Sequence, residues 1–186
     1  MQFKEIFDRD FEEILGSQIV SVIGGLIAGT LLGIYTHNIL LIPGMLLLLP
    51  GFLEMRANIS APLASRLSSG LFLGVITAKK KTKSNGKIIK GNVLASIVLT
   101  ILSCLFLGLI AFFANYYIFH VYTPKLIFLV LIAGLIANAI EIPVTLLATF
   151  YLFRKGHDPN NIMGPFLTSL GDITSIIALV IALVIL

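Results

Sequence analysis

Asp172 stands in PFLTSLGDITS, about ten residues inside the last apolar stretch of the chain, where a carboxylate has little water to solvate it. Thr168 lies four residues before it and Ser175 three after, so on a helix one face carries a carboxylate flanked by hydroxyls. A lone carboxylate in hydrocarbon costs roughly 2.5 kcal/mol or more, so the side chain must face protein or water and marks a functional position. Pro165 and Gly171 loosen the nearby backbone and free carbonyl oxygens. Carboxylate, carbonyl and hydroxyl oxygens suit a hard cation, whereas softer metals call for Cys or paired His. The alternative is a structural pair between Asp172 and Arg56 or Arg66.

A second stranded carboxylate, Glu141, sits in ANAIEIPVT with Asn138 three residues before it and Thr145 four after. Pro143 is expected to kink that helix and release a carbonyl. Two readings stand for Glu141: it lines the same cavity as Asp172 or takes a coupling ion or proton, or it pairs with an Arg. A third group, Glu54, Arg56, Asn58, Ser60, Ser65, Arg66 and Ser69, is unusually polar for its surroundings. Asn58, Pro62, Ser65 and Ser69 share one stripe if the helix is continuous. Asn58 offers an amide oxygen either to a cation or to a neighbouring helix. Arg66, Arg56 and Glu54 read as ion-pair partners. His37, His120 and His157 fall near segment ends, too scattered for a transition-metal cluster.

These residues are conspicuous because of what surrounds them. The chain is 58% hydrophobic and only 12% charged over 186 residues, with a mean hydropathy of +1.03. Soluble domains carry about 25% charged residues. A chain this apolar would have to expose Leu and Ile, and lipid is the solvent that permits it. Of nine carboxylates, five lie in the first 13 residues, and Lys79, Lys80, Lys81, Lys83, Lys87 and Lys90 crowd one short connection. That clustering describes a cytoplasmic loop and gives no reason to expect a nucleic-acid partner. The single cysteine, Cys104, lies in an apolar run and reads as a small core residue. The charged, amphipathic start is not expected to be a cleavable signal peptide.

The expected organisation is all-α and polytopic. Residues 1–17 read as an amphipathic cytoplasmic helix at the membrane surface, with Phe3, Ile6, Phe7, Phe11, Ile14 and Leu15 at helical spacing. Residues 18–186 read as one transmembrane domain of five spans, at about 19–39, 40–78, 92–117, 125–153 and 162–186. Gly25, Gly29 and Gly33 favour close helix packing in the first. The second is too long for one crossing, about 60 Å at 1.5 Å per residue. It is expected to break, with a half-segment to Leu53, an irregular polar junction over 54–60 and a helix from Ala61 to Thr77. Broken helices of this kind point to transporter sites. The connection 79–90 is expected to turn at Asn85-Gly86. Positive charge places 79–90 and 154–161 in the cytoplasm of a plasma-membrane protein, which puts the amino end inside and the carboxy end outside.

Two of these segments resemble a known family. GFLEMRANISAPLASRLSSG, Gly51 to Gly70, is similar to the second-helix signature of the MgtE and solute-carrier 41 transporters. The match falls on Ala57, Asn58, Leu63, Ala64, Ser65, Arg66 and Leu67. GHDPNNIMGPFLTSLGDITS, Gly156 to Ser175, resembles the family's final signature through Asp158, Pro159, Pro165, Thr168, Ser169, Gly171 and Asp172. Ala57 stands where the family often has Gly, and Pro62 where it has a polar residue. The family's large cytosolic amino-terminal and paired CBS domains have no counterpart here, so no magnesium-sensing gate is expected from the resemblance.

The resemblance implies an MgtE-type transmembrane domain in a homodimer, with an ion pathway along the two-fold axis and one carboxylate matching Asp172 from each subunit. The expected activity is passage of a divalent cation, Mg²⁺ first and Mn²⁺, Co²⁺ or Ca²⁺ after it. The expected metal-binding residues are Asp172, Asn58, Thr168 and Glu141, and the expected pathway lining is Pro62, Ser65, Ser169, Ser175, Asn138 and Gly171. A sodium- or proton-coupled exchanger is the alternative mechanism, and a structural or scaffold membrane protein the alternative class. A lipid-directed enzyme would need paired carboxylates or a nucleophile and base near a membrane face. Asp172 and Glu141 lie too deep for that, so no enzymatic activity is expected.

Overall fold

Long apolar runs bounded by Gly, Pro and charged residues leave the backbone one economical way to satisfy its polar groups in lipid, the α-helix. The structure, a computed structural model, describes residues 8–40, 42–78 and 83–186. These form five helices: α1 Arg9–Leu40, α2 Met45–Phe72, α3 Lys83–Phe119, α4 Lys125–Arg154 and α5 Pro159–Ile185. Helices α1, α4 and α5, and α3 from Asn85, are long and apolar enough to cross a membrane. Helix α2 is long enough, about 42 Å at 1.5 Å per residue, but Glu54, Arg56, Asn58 and Arg66 interrupt its apolar sequence.

Helices α2, α4 and α5 all pack on one another; α1 lies outside on α5, and α3 outside on α2 and α4. One apolar cluster joins Met45, Leu48 and Phe52 of α2 to Leu129, Ala133 and Ala137 of α4 and Ala178 and Ala182 of α5. Two smaller clusters fill the other half, one around Leu63, Leu67 and Ile142, the other around Ala64, Met163 and Leu167. The outer surface is apolar too: Leu26 is 68% exposed, Phe106 68% and Leu147 72%. In water such a surface would drive aggregation, whereas lipid solvates it.

The hairpin between α4 and α5 positions the final segment. Gly156 adopts φ 80, a left-handed conformation that suits glycine, while His157 N donates to Leu152 O and Gly156 N to Phe153 O. This closes α4 in a Schellman turn. Two residues later Asp158 caps α5 by accepting from Asn160 N at 2.8 Å, with Pro159 opening the helix.

Three expectations differ from the structure. The irregular junction expected at 54–60 is helical: α2 runs unbroken through Pro50 and Pro62, and the chain instead bends before it, where Gly44 has φ 87. Packing holds the helix together across its prolines, since Leu48, Phe52, Arg56, Leu63 and Leu67 are all at most 2% exposed. The turn expected at Asn85-Gly86 is the start of α3. There Asn85 Nδ2 donates to Thr77 O at 2.9 Å and fastens α3 to the turn after α2. Nor does the amphipathic segment form a helix apart from the first span, because α1 continues from Arg9 into the apolar run. Residues 1–7, and 79–82 of the basic connection, lie outside the described residues.

Candidate functional site

The two apolar halves of the core are separated by a polar layer where α2, α4 and α5 meet. Glu141 is its centre and is completely buried. Arg56 of α2 grips it side-on, with Nη2 2.7 Å from Oε2 and Nε donating to Oε1 at 3.2 Å. Ser60 Oγ, one turn further along α2, donates to Oε2. Thr174 Oγ1 of α5 donates to Oε1 at 2.8 Å. An ionised carboxylate has about four acceptor positions; hydrogen bonds from Arg56 Nε, Ser60 and Thr174 take three of them, and Arg56 Nη2 adds a close charge contact. Of the two readings of Glu141, the structure shows the pairing with an Arg, and the Arg is Arg56. Glu54, its expected companion among the ion-pair residues, instead accepts from Asn58 Nδ2 at 3.2 Å. Arg66 is exposed and makes no ion pair among the described residues.

Asp172 lies near the midpoint of α5 and is half-buried. Thr168, one turn earlier, is exposed and donates to Gly164 O at 3.1 Å. On α2, Glu54, Asn58, Pro62, Ser65, Arg66 and Ser69 are exposed as well. The subunit therefore carries an exposed polar band at the middle of α2, with the half-buried Asp172 on the neighbouring α5.

A cavity of about 510 Å³ opens between α2 and the first turns of α5, lined in part by Asn58, Pro62, Ser65, Asn160 and Gly164. Pro62 has no N–H to donate to the Asn58 carbonyl one turn back. Asn58 thus presents both a side-chain amide and an unpaired helical carbonyl at the cavity. The same rule explains a contact elsewhere: Pro165 leaves the Asn161 carbonyl free, and Ser17 Oγ of α1 donates to it at 3.1 Å. Asn58 also borders a second cavity of about 530 Å³ between α2 and α3.

The other residues expected to line a pathway are distributed differently. Asn138 and Ser175 are buried within the subunit, and Asn138 Oδ1 and Ser175 Oγ have no hydrogen-bond partner among the described residues. Gly171 faces Glu141, whose Oε1 would lie 3.7 Å from a methyl group placed there. Ser169 packs against α1 at Gly24, where a Cβ would stand only 2.5 Å from that of Ser169. Gly24 is thus the position at which α1 approaches α5, whereas added Cβ atoms at Gly25, Gly29 and Gly33 would meet nothing within 4 Å. No group of three His, Cys, Asp or Glu side chains able to hold a metal occurs among the described residues.

Sequence reasoning picked out Glu141, Arg56 and Ser60 separately but did not join them, and Thr174 was missed. A signal was available: Thr174 is the one hydroxyl three residues beyond Gly171, on the face opposite Asp172.

An all-helical chain with four helices long and apolar enough to cross a membrane, and with carboxylates inside two of them, belongs to the class of polytopic membrane proteins. The family model for MgtE, a divalent cation transporter, matches residues 49–182, more than half of the chain, and the chain belongs to that family. The family is one of transporters, not enzymes, and divalent cations are what it handles. No curated protein and no solved structure matches the chain.

Proposed function

We propose that the chain moves Mg²⁺ across the plasma membrane as a homodimer, through a pathway on the two-fold axis bordered by α2 and α5. The observation that carries this reading is the exposed polar band of Glu54, Asn58, Ser65 and Arg66, with Asp172 half-buried beside it. Each charged group facing lipid at that depth costs about 2.5–3.5 kcal/mol. A second subunit and a water-filled path between the two would remove that cost, while the apolar flanks of α1 and α3 remain in lipid.

In this reading the two Asp172 carboxylates, one per subunit, attract the ion. Mg²⁺ sheds water reluctantly and keeps several waters when bound. Thr168, the Asn58 amide and the Asn58 carbonyl then contact its water shell, and Pro62 and Ser65 shape the approach. The cavity between α2 and the first turns of α5 is the cytoplasmic part of the route, with the amino end of the chain inside and the carboxy end outside.

The test is divalent-cation flux into liposomes holding the purified protein, wild type against Asp172→Asn. Each cation is assayed with and without a sodium or proton gradient. Mg²⁺ flux that falls to the level of protein-free liposomes in Asp172→Asn supports the reading. Wild-type flux in that variant, in a folded dimer, overturns it. Flux that requires a gradient identifies a coupled exchanger.

A further inference from the structure

Three features stand apart from the pathway: the buried Arg56–Glu141 pair, the polar contacts of Glu13 with the α4–α5 hairpin, and the α1–α5 groove above Val20 and Phe166. The first of these is bonded to Thr174, two residues from Asp172 on the same helix.

We infer that Glu141 is a positioning residue, which through Thr174 sets the rotation of α5 and so the direction in which Asp172 points. The inference rests on the reading of Asp172 as the ion-attracting group. Glu141 is fully buried, its charge is met by Arg56, and three hydrogen bonds from Arg56, Ser60 and Thr174 hold it within the subunit. It nevertheless bonds α5 at the Thr174 hydroxyl, 2.8 Å away, and lies beside Gly171, so that the two α5 positions nearest it bracket Asp172. Gly171 and Thr174 lie on one side of the helix, and Asp172 on another. At 3.6 residues per turn, holding the first side against α4 leaves Asp172 one orientation.

The anchor is stiff for a physical reason. Glu141 and Arg56 are both fully buried, and neither charge can leave the pair without standing alone in a medium of low polarity. Pairing with Arg56 and Ser60 fixes the carboxylate relative to α2, and the Thr174 hydroxyl passes that position to α5. The Thr174 proton has a competing acceptor, Gly171 O of its own helix, at 3.1 Å. Losing the Glu141 contact would return Thr174 to its own helix and remove the hydrogen bond that ties the middle of α5 to Glu141, so that its rotation there is set by apolar packing alone.

The experiment reads the position of residue 172 directly. In a Cys104→Ala background, Asp172→Cys is labelled with a small polar thiol reagent in liposomes, with Thr174 intact or replaced. Thr174→Val, which keeps the shape and removes the hydroxyl, is expected to change the labelling rate about tenfold, the scale of one buried hydrogen bond to a charge. Thr174→Ser is expected to restore it. If Thr174→Val does not fold, Thr174→Ala takes its place. Equal labelling rates in wild-type-like folded variants with and without the hydroxyl overturn the inference, as does failure of Thr174→Ser to restore the rate. Because labelling requires no transport, absent Mg²⁺ flux in the wild type would count against the ion reading alone.

Discussion

Arg56 on α2 and Glu141 on α4, 85 residues apart in the chain, meet with Nη2 2.7 Å from Oε2 and with both side chains wholly buried. The pair lies between the two apolar halves of the core and is bonded by Ser60 of α2 and Thr174 of α5. A buried pair of this kind is weak evidence for stability, but removing one partner is costly because it strands the other charge. Glu141→Gln and Arg56→Gln are each expected to lower the unfolding free energy by about 3–5 kcal/mol. Arg56→Met combined with Glu141→Met is expected to cost less than either single change. Unfolding titrations with SDS in mixed micelles check this, and costs that simply add would contradict the coupling.

The approach of α1 to α5 at Gly24 and Ser169 offers a test of packing. A methyl group on Gly24 would lie 2.5 Å from Ser169 Cβ, so the helices must separate or shift. Gly24→Ala is expected to destabilise by about 1–3 kcal/mol, and Ser169→Gly in the same chain to recover most of it. Gly25→Ala, with nothing within 4 Å, is expected to be near neutral. Thermal unfolding of the purified variants decides.

Pro62 leaves the Asn58 carbonyl without a helical donor at the cavity wall. Pro62→Ala supplies that donor and is expected to stabilise α2 by up to about 3 kcal/mol, the scale of the proline penalty in a helix interior. It is also expected to raise the Mg²⁺ concentration needed for half-maximal flux, since the carbonyl is drawn back into the helix. Unchanged half-saturation in liposome flux would show that the carbonyl takes no part.

Glu13 ties the start of α1 to the hairpin that opens α5. It accepts from Asp158 N at 3.2 Å and from Asn161 Nδ2 at 3.3 Å, and contacts His157 Nδ1 at 2.8 Å. Arg9 joins it at 3.2 Å and also donates to Gly156 O. Arg9 and His157 are exposed or half-exposed, but the Glu13 side chain is only 8% exposed, so its removal leaves part-buried donors on Asp158 and Asn161 without their acceptor, at about 1–3 kcal/mol. Glu13→Ala is therefore expected to lower stability by about 1–3 kcal/mol and to speed amide hydrogen exchange over 155–161. Exchange unaltered in that stretch would show that the hairpin holds its shape without α1.

The membrane character, the helical class and the rough positions of the spans were legible in the sequence. Transfer into lipid is a sum over neighbouring side chains, so a window of about twenty residues reports it directly. The two candidate segments around Asn58 and Asp172 were legible for the same reason, because a polar group stands out in an apolar run. The break expected in α2 was not, since the cost of Pro50 and Pro62 is local whereas the packing of Phe52, Leu63 and Leu67 that offsets it comes from other helices. The start of α3 was misplaced because the bond that holds it reaches from Asn85 back to Thr77.

The sequence by itself determined that carboxylates, arginines and hydroxyls stand inside long apolar runs, where each needs a partner because an unpaired polar group among apolar ones is costly. Only the tertiary structure decided that Glu141 pairs with Arg56, that Arg66 stands exposed, and that Thr174 joins Glu141. The same holds for which face of each helix meets a neighbour, as at Gly24 in place of Gly25. Such pairings depend on the rotation and height of one helix against another. A period of 3.6 residues fixes which residues share a face, but not which face turns inward when every face is apolar.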